Sequence, residues 1–245
     1  MTFRLHSRRF WLPTFAALLL AGSTFALGQW QLRRAAQKEA VQTAIEAKNN
    51  LAPLDAKALS ATKKIADEIY RPAVLKGVWQ SAHTVYLDNR PMSGRTGFWV
   101  VTPLAVEGTG QMILVQRGWA PRNFNDRAQL PQVLTPAEPV TIEGRIAPPP
   151  SKLYEFKGVD AGRIRQNIDL KSFSQETHLG LLEEVSLLQT GPASEGLQRD
   201  WPAPNLGVDK HYGYAFQWFG LCALVIFLYA WFQLIVPFRI FTRGQ

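Results

Sequence analysis

The sequence predicts an α+β membrane protein, with two transmembrane helices flanking an antiparallel, β-rich, barrel-like domain. Three observations carry this. Two long runs contain no charge, the basic residues outside the middle sit at the chain ends, and the middle reads as successive short strands. The first run is Phe10 to Leu27, FWLPTFAALLLAGSTFAL, and the second is Tyr212 to Val236, YGYAFQWFGLCALVIFLYAWFQLIV. Both reach the roughly 18–20 residues that a helix needs to cross a hydrocarbon core of about 30 Å. The expected spans are therefore 10–28 and 211–236, with Pro237 as a stop after the second. Residues 29–210 form the domain between them, and 1–9 and 237–245 are short ends.

The formal charge of +8 invites a nucleic-acid reading, which its distribution opposes. Arg4, Arg8, Arg9, Arg239 and Arg243 lie outside the runs, where no acid accompanies them. The other 22 basic side chains (27 less five) share residues 29–210 with all 19 acidic ones. Basic ends around a near-neutral middle are what the positive-inside rule gives for two spans with both ends in the cytoplasm. Arg33, Arg34 and Lys38 follow the first span and weaken its local signal, but a long domain translocates largely regardless of charge. The first run also has the parts of a cleaved leader, including the pair in "SRRFWL" and small residues near Ala26 and Gly28. Its apolar length exceeds the usual 7–15 residues, so retention is expected. The one cysteine, Cys222, lies inside the second run, so the domain has no internal disulfide and no cysteine metal site.

After the first span, WQLRRAAQKEAVQTAIEAK (30–48) is rich in helix formers and predicts a helical entry to the domain. A short helix is expected at 55–63. Strands are expected at 70–79, 83–89, 97–104, 111–119, 140–146 and 183–190, where β-branched and aromatic residues alternate between Gly, Pro and Asn signals. The segment PMSGRTG (91–97) reads as a loop between two of them. Asp169 predicts the N-cap of a helix LKSFSQETH. Many strands with few helices argue an antiparallel α+β domain, and closure into a barrel would dispose of exposed edges.

The candidate sites have a bland and a sharp reading each. His211 opens the second span, with Tyr214 one helical turn on and Trp218 two turns on. As an interfacial belt, these residues anchor a helix end where one side is wet. As a ligand set, the imidazole holds a haem iron axially beside flat aromatics. Trp30, Arg34 and Lys38 share one face of the entry helix, as a membrane-surface anchor or as a contact face for a partner's helix. On the strand 111–119, Met112, Leu114 and Gln116 face one way and Ile113, Val115 and Arg117 the other. Arg117-Gly118-Trp119 is then a strand end with a bulge at Gly118 and an ion pair at Arg117, or a docking patch suited to carboxylates. His83 and His178 lack partners at metal-binding spacing, and His6 carries no signal. Gly-rich phosphate loops, nucleophile elbows and zinc-protease motifs are missing, and Glu183 and Glu184 would point to opposite strand faces.

The blocks LGQWQLRRAAQK (27–38), YRPAVLKGVW (70–79), GFWVVTPL (97–104), ILVQRGWAP (113–121), VTIEGRI (140–146) and HYGYAFQWFGL (211–221) stand in an order that resembles the surfeit-locus-one family of cytochrome c oxidase assembly proteins. The resemblance spans nearly the whole chain. It matches Trp30, Gln31, Arg34 and Lys38 in the first block and Tyr70, Arg71, Pro72 and Gly77 in the second. Gly97, Val101, Thr102 and Pro103 match in the third, Arg117, Gly118 and Pro121 in the fourth, and His211, Tyr214 and Trp218 in the last. Asp209 departs from a common asparagine, and no tryptophan lies between Trp119 and Trp201, where some relatives carry one before the segment here written RQNIDL.

The resemblance implies a non-enzymatic assembly factor that assists haem a delivery to, or insertion into, subunit I of a haem–copper oxidase. It implies His211, with Tyr214 and Trp218, as a transient haem a site, and His211 as an iron ligand. Trp30, Gln31, Arg34, Lys38, Tyr70, Arg71, Arg117, Gly118 and Trp119 become partner-contact or structural positions. The implied partners are subunit I, haem a synthase and membrane lipid, with no nucleic acid. A chaperone that shields subunit I without touching haem is the rival. Nine residues before the first span are too few for a mitochondrial transit peptide, so a bacterial inner membrane, with the domain in the periplasm, is the expected location.

Overall fold

The chain is described, in a computed structural model, over residues 8–123, 125–126, 129–154, 162–201 and 207–236. His6, Arg4, Pro237, Arg239 and Arg243 lie outside the described residues, as do the end at 237–245 and all but the last two residues of 1–9. The chain divides into a helical unit, drawn from residues 1–43 and 205–245, and a sheet unit, 44–204.

In the helical unit, α1 (Arg8–Asn49) runs unbroken from the first apolar run through the helix formers that follow it. At 1.5 Å per residue its length is about 63 Å, well beyond a hydrocarbon core. Pro13 lies inside α1, within the apolar run. The second apolar run forms α4 (Val208–Tyr229) and continues into a π-helical turn, Ala230–Ile235. Both helices are long and apolar enough to cross a membrane. They lie antiparallel. Thr14 Oγ1 is 2.9 Å from the Tyr229 hydroxyl, the Cys222 thiol donates to the Ala21 carbonyl, and the Phe219 ring lies against Gly28. A Cβ on Gly28 would stand 2.7 Å from that ring, so glycine is what lets the aromatic approach.

The sheet unit holds a seven-stranded sheet with the order β1-β5-β7-β4-β3-β2-β6. Its strands are β1 (Pro72–Trp79), β2 (Val85–Met92), β3 (Arg95–Val106), β4 (Met112–Pro121), β5 (Val140–Ala147), β6 (Ile164–Arg165) and β7 (Ser186–Gln189). The far end of β3 also pairs with β1, so pairing passes from β1 through β5, β7, β4 and β3 back to β1. The sheet is mixed, which corrects the antiparallel expectation. β6 runs parallel to β2, and β7 parallel to β4. Both follow long connections after β5, and only long connections permit parallel neighbours. The expected loop 91–97 is also corrected. β2 and β3 continue to Met92 and Arg95 around a two-residue turn, Ser93-Gly94, with φ of 49° and 75°. Two positive φ values are the type I′ geometry that matches strand twist.

Alternation along β4 holds, yet both faces are buried. Ile113 and Val115 join Leu75, Trp79, Leu104, Ile142, Ile146 and Leu187 in one core, closed by Leu54 and Leu59. Leu59 belongs to α2 (Ala56–Ala61), which Asp55 caps. Leu114 joins Leu87, Val101 and, from α3 (Leu170–Thr177), Leu170 and Phe173 in a second core. The expected cap of α3 is present: Asp169 accepts from the Ser172 N–H, and Lys152 bonds its other oxygen. Those contacts, led by the Ser172 N–H, hold the Asp169 carboxyl down to about 2.

Candidate site at the head of the second apolar helix

His211 stands on the first turn of α4, half-buried. Its Nδ1 lies 2.6 Å from Oε1 of Gln31 on α1, a contact between residues 180 apart in sequence. Gln31 is 8% exposed and Ala35, one turn on, is wholly buried. Glu39, a further turn on, accepts from the Tyr212 hydroxyl at 2.9 Å. The face of α1 that meets α4 is thus Gln31, Ala35 and Glu39. It is rotated by one residue from the Trp30, Arg34, Lys38 face singled out in the sequence. Trp30 is half-exposed, with the Arg34 guanidinium 5.9 Å above its ring, and Arg34 also donates to Gln37. On α4, Tyr214 is exposed and Trp218 half-buried. Glu39 escaped the sequence reading, although spacing of i, i+4, i+8 from Gln31 marks it.

The sheet-unit residues gather elsewhere and have structural work. Arg117 is wholly buried on β4, its guanidinium 4.5 Å over the Trp79 ring. It donates to Glu195 at 3.0 Å, to the Leu134 carbonyl at 2.7 Å and to Thr135 Oγ1 at 2.8 Å. Glu195 also receives Arg199, which is nearly as buried, at 3.4 Å. Gln116 pairs with Val101 and Gly118 with Val100, which makes Arg117 the extra residue of a β-bulge. A Cβ on Gly118 would meet Leu197 at 2.7 Å, so the chain 194–199 packs on a bare backbone. Trp119 is buried and its indole N–H donates to the Arg90 carbonyl. Gly77 and Gly97 face strand carbonyls at 2.3 Å and 2.2 Å from a notional Cβ. Arg71 donates to the Ala52 carbonyl and to Glu68. Tyr70, at φ 76°, donates its N–H to the Ile146 carbonyl. Arg117 and Trp119 therefore offer no open surface for docking.

No three His, Cys, Asp or Glu side chains converge among the described residues. A single imidazole can hold only a metal that brings other ligands with it.

The sequence profile described as the SURF1 family matches residues 18–223, which takes in most of both apolar helices and the whole sheet unit. The chain belongs to the SURF1 family. Among its relatives, a "SURF1-like protein" of Rickettsia bellii is 29% identical over 244 residues, covering 95% of this chain and 89% of that protein. The "Cytochrome oxidase assembly protein SHY1" of Saccharomyces cerevisiae is 29% identical over 96 residues, 39% of this chain and 25% of its own length. "Surfeit locus protein 1" of Arabidopsis thaliana is 32% identical over 123 residues, 46% of this chain and 35% of its own length. The chain thus aligns with about a third or less of the yeast and plant proteins and with most of the bacterial one. For a SURF1 chain, the blocks that carry the likeness divide cleanly. Those of the sheet unit build bulges, close strand contacts and a buried ion pair, while those of the helical unit meet at His211.

Proposed function

We propose that this chain assists assembly of a haem–copper cytochrome c oxidase in a bacterial inner membrane, holding haem a at His211 on its way to subunit I. The reading is non-catalytic. It takes the sheet unit, with its closed circuit of pairings, as a small barrel on the periplasmic side, and subunit I and the haem a synthase as partners. Family membership, the name of the yeast relative and the basic chain ends support it.

One observation carries the haem part: His211 has one ring nitrogen committed to Gln31, and Nε2 has no hydrogen-bond partner among the described residues. The imidazole is oriented before any ligand arrives, as ligating histidines are. Tyr214 and Trp218 extend from the same helix with apolar rings suited to a flat macrocycle. When bound, haem a would supply a metal that asks for few protein ligands, which fits the absence of a cluster of three His, Cys, Asp or Glu side chains among the described residues. His211 then binds and orients, and the apolar neighbours exclude water.

The test is a reduced-minus-oxidised spectrum of the full-length protein in mild detergent, from cells that make haem a, beside His211→Ala at equal folded yield. A haem a band lost only in the variant supports the reading. Equal bands in both sink the assignment to His211. No band in either, with haem loss to detergent excluded, favours the chaperone that works without haem.

A further inference from the structure

We infer that Gln31 is the positioning residue of the site: its amide oxygen keeps the imidazole proton on Nδ1 of His211 and so leaves Nε2 as the basic nitrogen. The purpose of this arrangement rests on the haem reading above, but its geometry does not. Oε1 of Gln31 faces Nδ1 at 2.6 Å. An amide oxygen only accepts, so with Oε1 toward the ring, as here, Nδ1 carries the hydrogen. In a neutral imidazole the other nitrogen is then unprotonated and able to ligate a metal. Histidine in water favours the opposite tautomer, with the proton on Nε2, so the contact selects the less common form.

The surroundings make the selection firm. Gln31 is 8% exposed, which keeps water from competing for its amide. Its α1 neighbour on that face, Ala35, is buried and has no polar group to offer. On the facing side of α4, Ala215 is buried one turn beyond His211 and is equally apolar. An amide among such neighbours is costly unless bonded. Two apolar side chains would pack the helices at least as well. The bland role for Gln31, helix–helix adhesion, is satisfied by either amide orientation and either tautomer. The positioning role requires one of each. It adds a second effect, because an N–H donated to an acceptor makes the opposite nitrogen a stronger donor to iron.

The first test needs no haem. Full-length protein with ¹⁵N-labelled histidine in micelles has four imidazoles, and His211→Ala identifies which signals belong to residue 211. The ring nitrogen shifts are expected to show Nδ1–H in the native protein. In Gln31→Met, folded by circular dichroism, they are expected to move toward the Nε2–H form. A native His211 already protonated on Nε2 overturns the inference.

The second test uses haem-loaded protein and reads the midpoint potential. Gln31→Glu keeps the reach and the acceptor and adds negative charge, so it should stabilise ferric iron and lower the potential. Gln31→Met should raise the potential and weaken haem retention 10- to 100-fold, the usual effect of losing an outer partner. Each tenfold change in ferric-over-ferrous preference is a shift of about 59 mV. Potentials that move together, or not at all, overturn the inference. A native Nδ1–H tautomer in a protein that never takes haem supports the role of Gln31 and refutes the haem reading, so the two fail separately.

Discussion

Replacing Glu195 by glutamine should destabilise the sheet unit far more than a surface change of one charge. Two guanidiniums share this carboxylate: Arg117 at 3.0 Å, with a side chain 0% exposed, and Arg199 at 3.4 Å, 3% exposed. The glutamine keeps the shape and one acceptor oxygen, and it inherits the same backbone strain at φ 60°, which therefore cancels. Arg117 also keeps Thr135 and the Leu134 carbonyl. What is lost is charge between two buried cations. Burial already pulls the Arg199 guanidinium below its ordinary range, with Glu195 opposing that pull and Arg117 adding to it. A hydrogen bond to a charged group is worth about 1.5–3 kcal/mol, and removing one partner of a buried pair costs about 3–5 kcal/mol. Glu195→Gln should fall near the lower figure, about 2 kcal/mol, and Glu195→Ala near the upper. At roughly 2–4 °C per kcal/mol for a unit of this size, the Tm should drop by about 4–8 °C for glutamine. Near-ultraviolet circular dichroism of the full chain in detergent follows this transition, because the Trp79 ring lies under Arg117. Buried pairs are poorly screened, so the drop should persist at 1 M salt. A drop under about 1 °C, or one abolished by salt, refutes the reasoning.

Other outcomes follow from the same geometry. Gly97→Ala would place a Cβ 2.2 Å from the Ala120 carbonyl oxygen and 2.6 Å from the Trp119 ring, so strands β3 and β4 must part. The cost should be about 1–3 kcal/mol or more, measured by denaturant unfolding, and a neutral result would contradict the pairing of Gly97 with Pro121. Asp169→Ala removes the cap of α3 and should cost about 1 kcal/mol by the same assay. The Asp169 carboxyl is depressed to about 2, so its contribution is complete above the unfolded value of about 3.9 and is lost as pH falls through 2. Between those limits Asp169→Asn should show a flatter loss of stability than the native chain, and parallel acid curves would speak against the cap.

What the sequence made legible was local. Strand existence followed from alternation, the cap at Asp169 from residue type, and the bulge beside Gly118 from a glycine inside a strand. What it hid was pairing at a distance. β6 has two residues and no pattern of its own, and the parallel placement of β6 and β7 depends on chain returning after β5. Arg117 was visible as a charge in an apolar strand, but Glu195 lies 78 residues on. His211 stood out by its place at the head of a span. Its partner Gln31 was matched in the first block only as a partner-contact or structural position, because nothing in one helix announces which face meets another. The face chosen from the sequence, Trp30, Arg34 and Lys38, followed the largest side chains, whereas the packed face follows the small one, Ala35.

That difference bears on where function lies. In the sheet unit, Arg117, Arg199, Arg71 and Trp119 are each tied to a backbone carbonyl or an opposite charge, and the fold would suffer if they were changed. In the helical unit, an apolar pair could have been closed with Leu and Ala alone. A glutamine and an imidazole placed between two membrane-type helices cost free energy that packing does not require. The ring they orient presents a nitrogen that the described residues leave without a bond. Under the proposed reading, that nitrogen is where a group from outside the chain would bind. Stability of the sheet unit and loading of His211 should therefore separate under mutation. Glu195→Gln should lower the Tm and leave His211 chemistry intact at a temperature where the chain is folded. Gln31→Met should do the reverse, changing the tautomer of His211 with little effect on the sheet unit's Tm. A single variant that moved both readouts in proportion would show that the two depend on one another and would refute the division.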